Sequence, residues 1–255
     1  MIESLQNEKI KRIARLQSKN SDRKKQGVFL VEGRQENKRA LSFNYEALEF
    51  FICEPLYNDI APEGIVHYVS QQVYEKIAYR GSSEGIIGIY KTPSTDLKNI
   101  NLAETTSIIV IEGTEKPGNL GAILRSCEAF GTDALINTDP KVDYFNPNVI
   151  RSSVGCLFGM NFYSATNEEL LTFLQNHDFK IVTTFMEEQS VNLYEVSLTG
   201  RTALLFGTEH SGLSEFWKDT GTNALIPTSG TIDSLNLSNA VAISCYEIIR
   251  QKINA

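Results

Sequence analysis

Cysteine is scarce in this chain of 255 residues: Cys53, Cys127, Cys156 and Cys245 lie far apart, with no C-x-x-C pair and no histidine beside them at ligand spacing. That excludes a zinc or iron–sulfur site and a disulfide scaffold, and leaves reduced thiols as the reading. Histidine is scarcer still, His67, His177 and His210 alone, and no G-x-S-x-G elbow is present, which removes a serine-hydrolase triad. Neither G-x-x-x-x-G-K-[ST] nor a G-x-G-x-x-G after a strand occurs, so P-loop and dinucleotide-binding chemistry lack their phosphate loops. No stretch approaches the ~20 consecutive apolar residues of a membrane helix. The basic start has no apolar segment behind it, so secretion is not indicated and a cytoplasmic location is expected. What is there, 42% hydrophobic and 22% charged residues, suits a soluble globular protein of one large or two modest domains.

The net charge of −7 hides an asymmetry. Lys9 to Arg39 holds eleven basic residues against three acidic, a local +8, and the remainder carries −15. A basic head on an acidic body suits a protein that grips a polyanion at its N-terminus. A solvated amphipathic helix, with Ile10, Ile13 and Leu16 inward, accounts for the same charges. Under the first reading Arg23, Lys24, Lys25 and Arg34 are candidate phosphate contacts; Arg151, outside the head, is a further candidate.

Short apolar and β-branched runs between turn residues read as strands, and longer stretches at helical spacing as helices. GVFLVEG (27–33), ALEFFICE, VHYVS and GIIGIYK predict strands, and Asn37 to Leu48 a helix. The polar Lys91-Thr-Pro-Ser-Thr-Asp96 marks a linker, dividing the chain into 1–95 and 96–255. Beyond it a stronger rhythm sets in. Strands are expected at 107–113, 134–137, MNFYS, KIVTTF, 203–207 and 224–228. Helices are expected at 120–130, 147–158, EELLTFLQNH, briefly after Gly212, and from Leu237 to about Lys252. Near-continuous apolar strands separated by helices predict an α/β fold with a mostly parallel sheet covered on both faces. Ligands of such sheets sit beyond the C-terminal strand ends.

Three loops leave those ends: Glu112 to Arg125, Phe206 to Ser214 and Ile226 to Asn239, all rich in Gly, Asn, Ser and Thr. Each alone has a structural explanation. Asn119 suits a helix N-cap, Gly207 and Gly212 suit turns, and Ser234 or Asn236 suits the cap of the last helix. Their shared edge of one sheet favours a site. On helix 120–130, Leu120, Ile123, Leu124, Cys127 and Phe130 gather on one side and Arg125 points away, with Gly121 one turn before it. That arrangement fits either a solvated arginine or an anion site near a helix N-terminus.

The same loops resemble the SpoU group of the SPOUT superfamily, the TrmH-like RNA 2′-O-ribose methyltransferases. The N-x-G-x-x-x-R motif stands as Asn119-Leu-Gly-Ala-Ile-Leu-Arg125. The G-N-E-x-x-G-L-S motif stands as Gly207-Thr-Glu209-His-Ser-Gly212-Leu-Ser214, and the third as Ile226-Pro227 with Ser234-Leu-Asn236-Leu-Ser-Asn-Ala240. Arg151-Ser-Ser-Val-Gly155 is similar to a further family segment. The chain departs at Thr208, where Asn is usual, and at Lys116, where an acid is common. Residues 1–95 look like the ribosomal-protein-like RNA-binding domain that often precedes this one.

The resemblance implies an α/β domain threaded as a trefoil knot, with S-adenosylmethionine as cofactor and no metal. It implies donor contacts at Gly207, Ile226, Leu235 and Thr184, and catalytic roles for Arg125, Asn119, Glu209, Ser234 and Asn236. It further implies structured RNA, ribosomal or transfer, as substrate, and a homodimer with Arg125 reaching across. A guanidinium stays protonated near neutral pH, which suits Arg125 to clamping a phosphate and stabilising a developing alkoxide rather than to general-base work. A catalytically inactive RNA-binding protein of the same fold is the alternative, against which the retained motif residues speak.

Overall fold

A computed structural model of the chain describes residues 1–79, 84–187, 189–231 and 234–254. It divides into two compact units, Met1–Pro93 with Asp143–Gly159, and Ser94–Val142 with Met160–Ala255.

The first unit begins with α1 (Glu8–Ser18), whose Asn7 N-cap accepts a hydrogen bond from the Lys9 amide at 2.9 Å, and α2 (Asn20–Gln26). Gly27 ends α2 in the left-handed region at φ 63°, a conformation glycine adopts without strain. There follow β1 (Val28–Glu32), α3 (Arg34–Ser42), β2 (Ala47–Ile52), β3 (Val66–Tyr68), α4 (Gln71–Ile77) and β4 (Ile86–Lys91). Among the described residues the strands order as β1-β4-β2-β3, with β4 antiparallel to both neighbours and β2 parallel to β3. Alternation along β1 sends Val28 and Leu30 to one face, where Ile10, Ile13 and Leu16 of α1 and Val73, Tyr74 and Ile77 of α4 complete a core. The helix expected over Asn37–Leu48 lies earlier. It starts beyond Gly33 at φ 105° and stops before Asn44 at φ 60°, which frees Ala47 and Leu48 for β2.

In the second unit come β5 (Ser107–Glu112), α5 (Pro117–Phe130) and β6 (Ala134–Thr138). The chain then contributes α6 (Pro147–Ser152) to the first unit. A single helix over 147–158 was expected; Val154 and Gly155, at φ 54° and 72°, break it, and Cys156–Gly159 forms a 3-10 turn. There the Phe145 ring lies 4.4 Å from Phe29, and Phe158 lies 4.9 Å from Tyr45. The second unit resumes with β7 (Phe162–Ala165), α7 (Asn167–Asn176), β8 (Lys180–Thr183), β9 (Val191–Asn192), β10 (Thr202–Phe206), β11 (Thr222–Leu225) and α8 (Leu237–Ile253).

Among the described residues these strands form one sheet in the order β7-β6-β5-β10-β8-β11-β9, every neighbouring pair parallel. β5, β6 and β10 are buried throughout, as their unbroken apolar runs require. The chain runs outward from β5 to β6 and β7, then returns to the other side, so β5 and β10 flank the switch in strand order. Phe206 pairs with Ile111 there, and the loops after β5 and β10 emerge side by side. β11 ends at Leu225 rather than at Thr228, because Pro227 has no amide for the ladder. Among the described residues no helix is long and apolar enough to cross a membrane.

Candidate active site

Glu209 is the meeting point of the three loops. Its Oε2 pairs with the Lys116 ammonium, while Oε1 accepts from Asn119 Nδ2 at 2.9 Å and from Asn236 Nδ2. Asn236 Nδ2 also reaches Asn119 Oδ1 at 3.4 Å, and Asn236 Oδ1 caps α8 through the Ser238 amide at 3.0 Å. One residue therefore serves both as helix cap and as site contact, which is why sequence reading leaves the two roles open. The Lys116 ammonium, then the Asn119 amide, hold the Glu209 carboxyl below the usual carboxylate range. Four of its partners and neighbours, Lys116, Asn119, Asn236 and the α8 start at Leu237, come from elements that only the sheet topology brings together.

The loop carrying Glu209 is closed on itself. Thr208 and Gly212 exchange backbone hydrogen bonds at 3.1 and 3.0 Å, and the Ser211 amide donates to Thr208 Oγ1 at 3.0 Å. A Cβ on Gly207 would overlap the Gly212 carbonyl and the Leu213 nitrogen, so the loop's own closure demands glycine there. Sequence reasoning missed the strut beneath it. Glu112, 8% exposed at the end of β5, accepts from the Ser214 amide and hydroxyl, both at 2.7 Å, and from Asn167 Nδ2 at 2.6 Å. An acidic residue closing a buried strand was the available signal.

A cavity of about 800 Å3 opens beside this loop, and Thr184, Gly207, Ile226, Leu235 and Ser234 all line it. Phe206, Leu213, Ala224 and Leu237 add apolar wall. Thr184 is turned to the sheet, its Oγ1 donating to the Leu205 carbonyl at 2.8 Å. Residues Ile232 and Asp233 of the third loop lie outside the described residues. The volume is that of a small-molecule site, and a wall of apolar side chains and exposed loop backbone fits a donor with a neutral base and a compact charged end. Arg125 lines no part of this cavity. It is exposed on α5 and, among the described residues, has no hydrogen-bond or ion-pair partner.

The expected phosphate contacts separate. Arg23 is a correction: it is 4% exposed, with Nη1 donating to the Leu16 carbonyl at 2.8 Å and Nη2 paired with Asp143 at 2.8 Å, so its charge is spent inside the unit. Lys24 and Lys25 are exposed. Arg34 bonds the carbonyls of Leu56 at 2.8 Å and Glu84 at 3.2 Å and lies over the Tyr57 ring. Arg151 is half-buried, lining a cavity of about 330 Å3 with Glu32, Glu36 and Glu84. Burial raises the Glu32 and Glu36 carboxyls above their usual range, and Arg151 opposes the rise.

A family model described as the SpoU rRNA Methylase family matches residues 106–246, and one described as an MRM3-like substrate binding domain matches 7–88. The 23S rRNA (uridine(2479)-2′-O)-methyltransferase of Streptomyces viridochromogenes is 29% identical over 175 residues, 66% of this chain and 61% of that relative. The chain thus spans less than two thirds of that relative's length. A crystal structure of an RNA 2′-O ribose methyltransferase, at 33% identity and TM-score 0.86, matches 99% of both chains. The AdoMet-bound rRNA methyltransferase of Sinorhizobium meliloti, at 26% identity and TM-score 0.88, matches 98% of this chain and 97% of its own.

Proposed function

This chain belongs to the SpoU rRNA methylase family, and on that premise we propose that its three-loop cluster methylates a ribose 2′-hydroxyl of ribosomal RNA with S-adenosylmethionine as donor. Methyl transfer from S-adenosylmethionine to RNA is supported by the family and by the structural neighbours, and ribosomal RNA as the RNA taken is supported by the names of the relatives. The observation that carries the reading is the convergence on Glu209 of Lys116, Asn119 and Asn236, beside a cavity lined by Thr184, Gly207, Ile226 and Leu235.

S-adenosylmethionine supplies an electrophilic methyl group on a sulfonium. Thr184, Gly207, Ile226 and Leu235 hold the donor, largely through loop backbone. Asn119, Glu209, Ser234 and Asn236 orient the ribose, and an aligned hydroxyl lowers the barrier by removing the search for geometry. Arg125 clamps the adjoining phosphate and stabilises the negative charge that develops on the oxygen as the hydroxyl proton passes to solvent water. A second copy of the chain brings Arg125 to that position. Exposed Tyr246 and Ile243 on α8, next to α5, supply apolar surface for the pairing. Residues 1–95 bind the RNA and 96–255 carry the chemistry, in the cytoplasm.

The test is methyl transfer to 23S ribosomal RNA transcribed in vitro, followed by nuclease digestion. One 2′-O-methylnucleoside is expected; donor binding without any ribose methylation of this RNA would overturn the substrate.

A further inference from the structure

Lys116 is drawn to the Glu209 carboxylate, and its side chain stays 70% exposed. Glu209 is its one side-chain partner among the described residues. An ion pair so open to water holds a fold together only weakly and exchanges readily for another anion. Lys116, Asn119, Lys141 and His210 line a second cavity, of about 570 Å3, together with the acids Glu112, Glu115, Asp139 and Glu209, and residues 208–213 form a wall common to it and to the donor cavity. Lys141 is likewise held by one exposed acid, Asp139, at 3.0 Å.

A ribose that presents its 2′-hydroxyl to Asn119 and Glu209 carries a phosphodiester on the neighbouring 3′ carbon. The cation nearest those two side chains therefore meets that phosphate. We propose that Lys116 is an RNA phosphate contact parked on Glu209, and that the phosphodiester beside the target ribose displaces the carboxylate from it. The inference rests on the RNA reading above and adds a substrate contact at position 116.

The experiment measures binding of unmodified 23S ribosomal RNA, transcribed in vitro, to the full chain across a salt series. Lys116→Ala is expected to weaken binding about fivefold or more and to reduce the salt slope by about 0.7 to 0.9, the value of one phosphate contact. Lys116→Arg should restore both. Glu209→Gln, which releases the lysine but also alters a ribose contact, should keep the full salt slope whatever its affinity. S-adenosylmethionine affinity, by calorimetry, should be unchanged in Lys116→Ala. Parent affinity and slope in Lys116→Ala would overturn the proposal. So would a salt slope in Glu209→Gln reduced as far as in Lys116→Ala, because the pair would then act as a scaffold. Turnover of the parent on the same transcript is read separately: an inactive parent with the lysine effect intact supports the contact and faults only the assignment of this RNA.

Discussion

Arg125 leaves α5 on the side opposite Leu120, Ile123, Leu124 and Cys127, and its placement on the exposed face was legible from helical spacing alone. The task proposed for it in transfer predicts that Arg125→Ala lowers turnover by ~10²- to 10³-fold, the usual loss for one preorganised stabiliser, while donor affinity holds. Single-turnover kinetics with calorimetry on the same variant checks both. The basic head was less legible, because a charge count cannot say which cations are already paired. Arg12 and Lys9 are drawn to Glu49, and Arg23 to Asp143, 120 residues along the chain. Arg15, Lys19, Lys24 and Lys25 are exposed and, among the described residues, make no side-chain ion pair. Replacing these four with Gln should weaken RNA binding and cut its salt slope by about 0.7 to 0.9 per contact, whereas Arg23→Gln should lower the melting temperature instead. A parent-like slope in the fourfold variant would move the RNA grip elsewhere.

The loop 207–214 acts as a unit: a backbone pair between Thr208 and Gly212 shuts it, and Glu112 fixes its far end at Ser214. The resemblance implied a donor contact at Gly207. The closer demand comes from Gly212 and Leu213, so Gly207→Val should force the loop open, abolish S-adenosylmethionine binding and lower the apo-protein melting temperature together. Lost binding at an unchanged melting temperature would return the residue to a contact role alone. Strands 107–112, 134–138 and 202–206 were legible because burial on both faces leaves an uninterrupted apolar signature. The limits of α3 and α6 were not, since Asn44, Val154 and Gly155 end or break helices through positive φ that hydropathy spacing does not register.

At the scale of the molecule, the order β7-β6-β5-β10-β8-β11-β9 sets the loops after β5 and β10 next to each other, and with them Lys116, Asn119 and Glu209. A run of strands along the chain shows their number and burial but not which will be neighbours. The motif resemblance carried the site, because loop sequences hold the polar residues whose convergence only topology explains. On the sequence the chain divides at 91–96, and the return of Asp143–Gly159 to the first unit was not legible in it. A chain starting at Asp96 would lose the Phe29 and Tyr45 rings that pack on Phe145 and Phe158. It should therefore expose an apolar patch and aggregate on size exclusion, and a monodisperse product with the parent's far-ultraviolet spectrum would contradict this. The central claim is ribose methylation of ribosomal RNA, and the most direct measurement is mass spectrometry of ribosomal RNA from cells with the protein, without it, and with Arg125→Ala in its place. The account predicts one 2′-O-methylnucleotide present in the first sample and missing from the other two; a methylation map identical in all three would contradict it.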